Sequence, residues 1–151
     1  MVRMTDFRPS PIMKSVTRLV LCGLVLLTAI GHRSIVRAQN EHSRSTMSGV
    51  FTQAQANAGE ETYMSVCVAC HPAGTYSSAA FKTTWNGRPL SDLFSLIKER
   101  MPKNEPGTLS PEETAQLVAY ILKINGTPTG KTELPAEVAS LKEIRMEIPD
   151  H

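Results

Sequence analysis

Residues 67–71 read Cys-Val-Ala-Cys-His, and they combine the residue types best suited to hold a cofactor. Two cysteines separated by two residues lie close together on one turn of chain, so both thiols can add to the two vinyl groups of a single haem as thioethers. His71 follows and can offer an imidazole nitrogen to the iron. This spacing is the attachment pattern of a c-type haem. We therefore predict that Cys67 and Cys70 bind haem covalently and that His71 is the proximal axial ligand.

Three other interpretations of the cysteine pair have to be weighed. A structural zinc site needs four ligands, whereas the third cysteine, Cys22, lies near the start of the chain and His42 and His151 lie far from the motif. A thioredoxin-like redox pair needs a βαβ setting, and no run of β-branched residues supplies one. A simple disulfide needs no histidine after the second cysteine. Haem attachment is the interpretation whose requirements are all met.

A methionine in the second half of the chain is expected to supply the other axial ligand. Residues 90–97 carry apolar side chains at the i, i+3, i+4, i+7 spacing of an amphipathic helix. Pro102 disfavours an α conformation in Met101, so the helix should end there and leave Met101 in an extended segment. A thioether favours Fe(II), and His/Met ligation raises the reduction potential. The other methionines downstream of residue 38 fit this role less well and lie in the polar leader, beside the haem turn and in the tail: Met47, Met64 and Met146.

The segment between His71 and Leu90 is rich in proline, glycine and serine and is predicted to be irregular. Large aromatic side chains in such a segment should be buried against something, and the haem plane is the natural surface. Trp85 is therefore a candidate for packing on haem or for hydrogen bonding to a propionate. Arg88 is a candidate to pair with a propionate, although a solvated loop arginine is the commoner case.

Two helices are predicted to frame this region. The first begins at Thr52, with Gln55 as its capping-box partner, and continues to Cys67. Gly59 lies within it; a helical glycine costs about 1 kcal/mol relative to alanine and often marks the close approach of another element. The last regular helix begins after Ser110, with Pro111 and Glu113 as start signals.

The end of that helix and the tail are also marked in the sequence. Asn125-Gly126 is a stop signal, and residues 127–151 form a tail that contains one short helix at most. Its apolar residues either cover the haem domain or dock a partner protein: Leu134, Val138, Leu141 and Ile144.

Residues 1–38 are predicted to be an export signal. Four basic residues precede an apolar run over residues 19–30, which is shorter than the ~20 residues of a membrane-spanning helix. Val36-Arg37-Ala38 offers a cleavage site with small residues. Arginines between the run and this site are unusual, so an uncleaved membrane anchor stays an alternative. Cys22 is interpreted as part of the apolar run, because leucine precedes it where a lipoprotein signal has a small residue.

Removal of this segment changes the charge of the chain. It contains six of the 16 basic residues and one of the 14 acidic residues, so ten basic and thirteen acidic side chains remain, a net charge of −3. No basic cluster with interleaved aromatic residues indicates nucleic-acid binding. Residues 39–51 are polar and are predicted to be a flexible leader.

With its elements in this order, the chain resembles the class I c-type cytochromes over residues 52–126. The resemblance rests on the haem motif near the first helix, Met101-Pro102 after a middle helix and a closing helix around residues 119–122. It implies an all-α, small cytochrome c fold with three or four main helices packed around one covalently bound haem c. It also implies that the first and last helices cross closely, at Gly59 and Tyr120.

A narrower resemblance is to the small periplasmic cytochromes, or cytochrome domains, that serve quinoprotein dehydrogenases. It rests on Met101-Pro102, Pro106-Gly107, Leu109-Ser110 and the residues from 119 to 130, while Pro72 departs from the glycine of many relatives. Because His71 and Met101 are expected to fill both axial positions and to leave no open site for a substrate, we predict an electron-transfer protein rather than an enzyme: a periplasmic one-electron carrier whose redox partners are a dehydrogenase and a cytochrome or oxidase. The alternatives are a haem subunit docked in a larger dehydrogenase complex and a haem sensor or enzyme with a labile distal ligand.

Overall fold

Five α-helices provide most of the regular structure in residues 44–149, the part of the chain that the computed structural model describes. They are α1 (Gln53–Thr62), α2 (Ala79–Trp85), α3 (Leu90–Arg100), α4 (Pro111–Ile124) and α5 (Val138–Lys142). Strands β1 (Arg44–Ser45) and β2 (Ile144–Arg145) pair in parallel. The predicted small all-α cytochrome c fold is confirmed. The predicted export signal and residues 39–43 of the leader lie outside the described residues.

The start of α1 follows the prediction only in part. The Thr52 hydroxyl accepts a hydrogen bond from the Gln55 backbone N–H at 3.1 Å, as an N-cap should. The Gln55 side chain does not complete the capping box. Its amide instead donates to the Leu134 carbonyl at 2.9 Å and accepts from the Leu134 N–H at 2.8 Å. The buried amide therefore attaches the tail to α1.

Helices α1 and α4 cross at Gly59, and they make the most extensive helix–helix contact in the described domain. A Cβ at this position would overlap the Gln116 carbonyl and lie 2.9 Å from the Leu117 nitrogen. Beside the crossing, the rings of Tyr63 and Tyr120 lie with their centroids 5.1 Å apart. The close approach expected at Gly59 is thus present.

Helices α3 and α4 begin and end where their local signals indicate. The α3 helix ends at Arg100, and Met101 is extended with φ −122° and ψ 152°. At the start of α4, Ser110 and Glu113 form a complete capping box, and hydrogen bonds from the Ser110 backbone and side chain lower the pKa of the Glu113 carboxyl. Gly126, at φ 78°, follows the end of α4.

The segment predicted to be irregular, residues 72–89, contains two helical pieces. A 3₁₀ segment covers Ala73–Ser77, and α2 follows with Ser78 as its N-cap, accepting from the Phe81 N–H at 3.1 Å. Serine before two alanines is a helix-start signal, which the many turn-forming residues around it obscured. Phe81 is buried in the core.

Residues 44–51 pack against the tail, which differs from the expectation of a flexible leader for this part of the chain. Thr46 is buried, and its hydroxyl donates to the Glu147 carbonyl at 2.6 Å and accepts from the Glu147 N–H at 2.9 Å. Phe51 is fully buried, and its carbonyl accepts from the Gly130 N–H at 2.7 Å. The polar composition predicted flexibility here, but the Thr46 hydroxyl and the Phe51 carbonyl bind the tail, and both residues are buried.

The tail belongs to the same packed unit. Its apolar side chains lie in the core together with those of α3 and α4, with the exception of the exposed Val138: Leu134, Leu141, Ile144, Met146 and Ile148. Of the two roles considered for the tail, covering the domain is the one that its burial supports. No helix within residues 44–149 is long and apolar enough to cross a membrane.

Candidate haem-binding site

A cavity of about 800 Å³ opens between the end of α1, the end of α3 and the face of α4. Most of its wall is apolar, and the aliphatic part comes from α3, the loop after it and α4: Ile97, Leu109, Leu117 and Ile121. These four residues are buried. The cavity is therefore a largely apolar space with an opening to solvent.

The Cys-x-x-Cys-His turn forms one side of the cavity. Beyond Thr62 the helix widens into a π-helical turn, Tyr63–Cys67, in which the Val68 N–H donates to the Tyr63 carbonyl at 3.0 Å. Cys67 is half-buried, Cys70 is exposed, and both line the cavity with His71 without forming a disulfide. Burial raises the pKa of the Cys67 thiol. A π turn is a frequent feature of functional sites.

Met101 reaches the same cavity from the end of α3. It is partly buried and packs against the core. The three other methionines that were considered do not line the cavity: Met146 is 1% exposed within the core, whereas Met47 and Met64 are 42% and 58% exposed. The structure thus brings together Cys67, Cys70, His71 and Met101, although they come from two separated segments.

Two tyrosines, Tyr63 and Tyr76, line the cavity together with His71. The Tyr63 hydroxyl donates to the His71 carbonyl at 2.5 Å. The Tyr76 ring lies 5.5 Å from the His71 ring, and burial, with smaller effects of Cys67 and Tyr63, raises the pKa of Tyr76 to about 12. The sequence reasoning missed Tyr76; the signal available was an aromatic residue five positions after the haem histidine in a segment otherwise rich in small residues.

Trp85 and Arg88 are not among the residues that line the cavity, and their contact with haem stays a prediction. The Trp85 ring packs on Phe81 at 6.1 Å, and the Arg88 guanidinium lies 4.8 Å above the Trp85 ring. Arg88 also pairs with Asp92 at 2.7 Å on the surface. The backbone at this position is bound to the tail: the Met146 N–H donates to the Arg88 carbonyl at 2.8 Å, and the Gly87 N–H donates to the Met146 carbonyl at 2.7 Å. These two hydrogen bonds hold the turn before α3 against the residues that follow β2. Phe81 approaches the site only through Tyr76, at 5.8 Å.

The polar groups at the opening come from the loop after α3. Lys103 and Asn104 line the cavity and are exposed. A haem carries two propionate carboxylates, and an ammonium group and an amide are suitable partners for a carboxylate. These two residues are therefore better placed than Trp85 and Arg88 to meet a propionate.

The residues present fit haem c. Two thiols, an imidazole and a thioether line one apolar cavity, which is the set of groups needed for two thioether bonds and two axial ligands. Within residues 44–149, no group of three or more His, Cys, Asp or Glu side chains comes together as a metal site. The zinc interpretation of the cysteine pair therefore finds no further ligands in that part of the chain.

Comparison with protein families gives a match over the region that contains the candidate site. The model of the family described as "Cytochrome C oxidase, cbb3-type, subunit III" matches residues 54–121. No curated protein and no solved structure matches the chain. The matched region starts in α1 and ends in α4, so it includes the Cys-x-x-Cys-His turn, Met101 and the crossing at Gly59.

Proposed function

Because this chain carries a class I monohaem c-type cytochrome domain, which binds haem c covalently and serves electron transfer, we propose that it is a periplasmic one-electron carrier between a dehydrogenase and a downstream cytochrome or oxidase. The periplasmic location rests on the predicted export signal in residues 1–38, with an uncleaved anchor as the alternative. The observation that supports the carrier role most directly is the presence of both His71 and Met101 at one apolar cavity.

Each of the proposed ligands has a distinct task. Cys67 and Cys70 hold the macrocycle through thioethers, and His71 and Met101 occupy the two axial positions. Bound haem c supplies a one-electron Fe(II)/Fe(III) couple. With two protein ligands in place, no coordination position is left for a substrate, so electron exchange is the chemistry that this site favours. The uncharged thioether of Met101 favours the ferrous state.

The opening of the cavity is the place where a redox partner has the shortest path to the cofactor. Cys70 and Ala69 are exposed there, and Val66 on the same turn is 42% exposed. The mature chain has a predicted net charge of −3. A partner with a basic surface would therefore be attracted weakly, and the attraction would fall with rising salt.

A stably bound subunit of a larger complex is the second candidate function. It is favoured by the matched family, whose name is that of an oxidase subunit. The tail gives this candidate little support, because Leu134, Leu141 and Ile144 are buried within the domain itself. Purification from the native membrane and periplasmic fractions separates the two candidates: a carrier is recovered alone, and a subunit is recovered with its complex.

The absorption spectrum of the purified haem-loaded protein tests the carrier proposal. The oxidised wild type should be low-spin and show the weak Fe–S(Met) charge-transfer band. The Met101→Ala variant should keep its haem but lose this band, because the thioether ligand is gone. Met64→Ala is the matched control, since Met64 is exposed and lies outside the cavity wall.

Two results would contradict the proposal. A high-spin wild type that binds carbon monoxide readily would indicate an open iron position and favour a sensor or enzyme. Retention of the charge-transfer band in Met101→Ala would assign the distal position to another residue.

A further inference from the structure

Tyr63 contacts both ends of the haem-binding turn. Its backbone carbonyl accepts the Val68 N–H at 3.0 Å, one residue beyond Cys67. Its hydroxyl donates to the carbonyl of His71 at 2.5 Å. The side chain is only 2% exposed, so both contacts lie inside the domain. One residue therefore spans the turn that carries the two thiols and the imidazole.

The His71 carbonyl, which accepts the hydrogen bond from the Tyr63 hydroxyl, lies at the end of a helical turn. The His71 N–H donates to the Cys67 carbonyl at 2.9 Å, but Pro72 follows and the chain leaves the helical path. The last carbonyls of a helix have no partner within the helix and need one from elsewhere. The Thr75 N–H turns back to the Pro72 carbonyl at 2.8 Å. The Tyr63 hydroxyl supplies the partner for His71.

The ring of Tyr63 has a separate packing role. Its centroid lies 5.1 Å from that of Tyr120 and 6.1 Å from that of Tyr76. A phenylalanine ring would fill this space equally well. The hydroxyl is thus not needed for packing, and its one described hydrogen bond is the one to His71.

We propose that the Tyr63 hydroxyl is a positioning group that holds the His71 imidazole on the iron and thereby helps to set the reduction potential. This role rests on the proposed haem site. A hydrogen bond to the backbone of an axial ligand limits how far the ligand can tilt or withdraw, and groups outside the ligand set tune a metal through such constraints.

Tyr63→Phe tests this role, because it removes the hydroxyl and keeps the ring. Tyr120→Phe is the matched control: Tyr120 lies in the same cluster, is also buried, and its hydroxyl makes no side-chain hydrogen bond within the described residues. Both variants are prepared as full-length, haem-loaded protein, and circular dichroism checks that each keeps its helix content.

We expect Tyr63→Phe to speed amide hydrogen exchange in residues 67–71 by about two- to tenfold, which corresponds to the loss of one hydrogen bond. Its reduction potential should rise, because a less firmly held imidazole stabilises ferric iron less, and its ferric EPR g values should shift. Tyr120→Phe should match the wild type in all three measurements.

The proposal is overturned if the potential and g values of Tyr63→Phe equal those of the wild type, even with faster exchange, since the hydroxyl would then be structural only. Equal shifts in both variants would overturn it too, because they would report on the aromatic cluster. A failure of the proposed carrier function is seen separately, in the spin state and carbon monoxide binding of the wild type.

Discussion

Lys103 is the cationic side chain that lines the cavity in the described part of the chain, and it lies at the opening. Arg88, by contrast, is neutralised by Asp92 at 2.7 Å and lies away from the cavity. A positive charge near the iron favours the state with less positive charge, which is the ferrous one. The two residues carry the same charge but should differ in their effect on the cofactor.

Lys103→Gln should therefore lower the reduction potential, while Arg88→Gln should leave it unchanged. Lys103 is exposed, so we expect a free-energy effect below about 1 kcal/mol that shrinks at high salt. Potentiometric titration at low and high ionic strength measures both variants. An equal shift in the reduction potential of the two variants would contradict this prediction, because the shift would then depend on the net charge of the protein and not on the distance of the residue from the cavity.

At the level of the elements, the crossing of α1 and α4 fixes the orientation of the haem-binding turn. The turn continues directly from α1, and the Tyr63 ring packs on Tyr120 of α4. Gly59 permits this because its missing side chain leaves space for the Gln116 carbonyl. A shift of α1 at the crossing would therefore move the haem-binding turn that continues from it.

Gly59→Ala should destabilise the domain by about 3 kcal/mol or more, because the added methyl group meets the backbone of α4, which cannot rotate away. Gly74→Ala is the control, since no atom lies within 4 Å of the position that its Cβ would take. Denaturant unfolding of the haem-loaded variants measures the difference. Equal stability of Gly59→Ala and the wild type would show that the helices can separate without cost.

At the level of the whole molecule, the terminal segments of the described residues and the candidate haem cavity both border α3. The terminal segments cover α3 through Leu141 and the paired strands, whereas the cavity wall of Ile97, Leu117 and Ile121 faces the space for haem. A small domain buries a limited share of its surface. Haem would fill this apolar space, and its contacts with the wall would add to the stability of the fold.

The double variant Cys67→Ala/Cys70→Ala, prepared without haem, should be largely unfolded. Far-ultraviolet circular dichroism should show loss of most of the helical signal that the haem-loaded wild type gives. A native-like helical spectrum would contradict this prediction and would mean that the packing of α1, α4 and the tail is sufficient alone.

Much of the fold and of the site could be predicted from local signals. The extended conformation of Met101 follows from Pro102, and the start of α4 follows from Ser110 and Glu113, because these restraints act within a few residues. The assignment of Gln55 to a capping box was wrong, since a distant partner, Leu134, binds its side chain. A local sequence signal does not show whether a residue from elsewhere in the chain will bind the same side chain.

The sequence by itself determined the cofactor class and the haem-binding turn, because Cys67, Cys70 and His71 lie within one turn whose spacing matches one macrocycle. Only the tertiary structure decided which other residues meet at the cavity. It brought Tyr76 and Lys103 to the cavity and kept Trp85 outside. It also paired Arg44–Ser45 with Ile144–Arg145, near the two ends of the described residues. Those outcomes depend on which faces of several elements are buried together, and that choice is made by the packing of the whole domain.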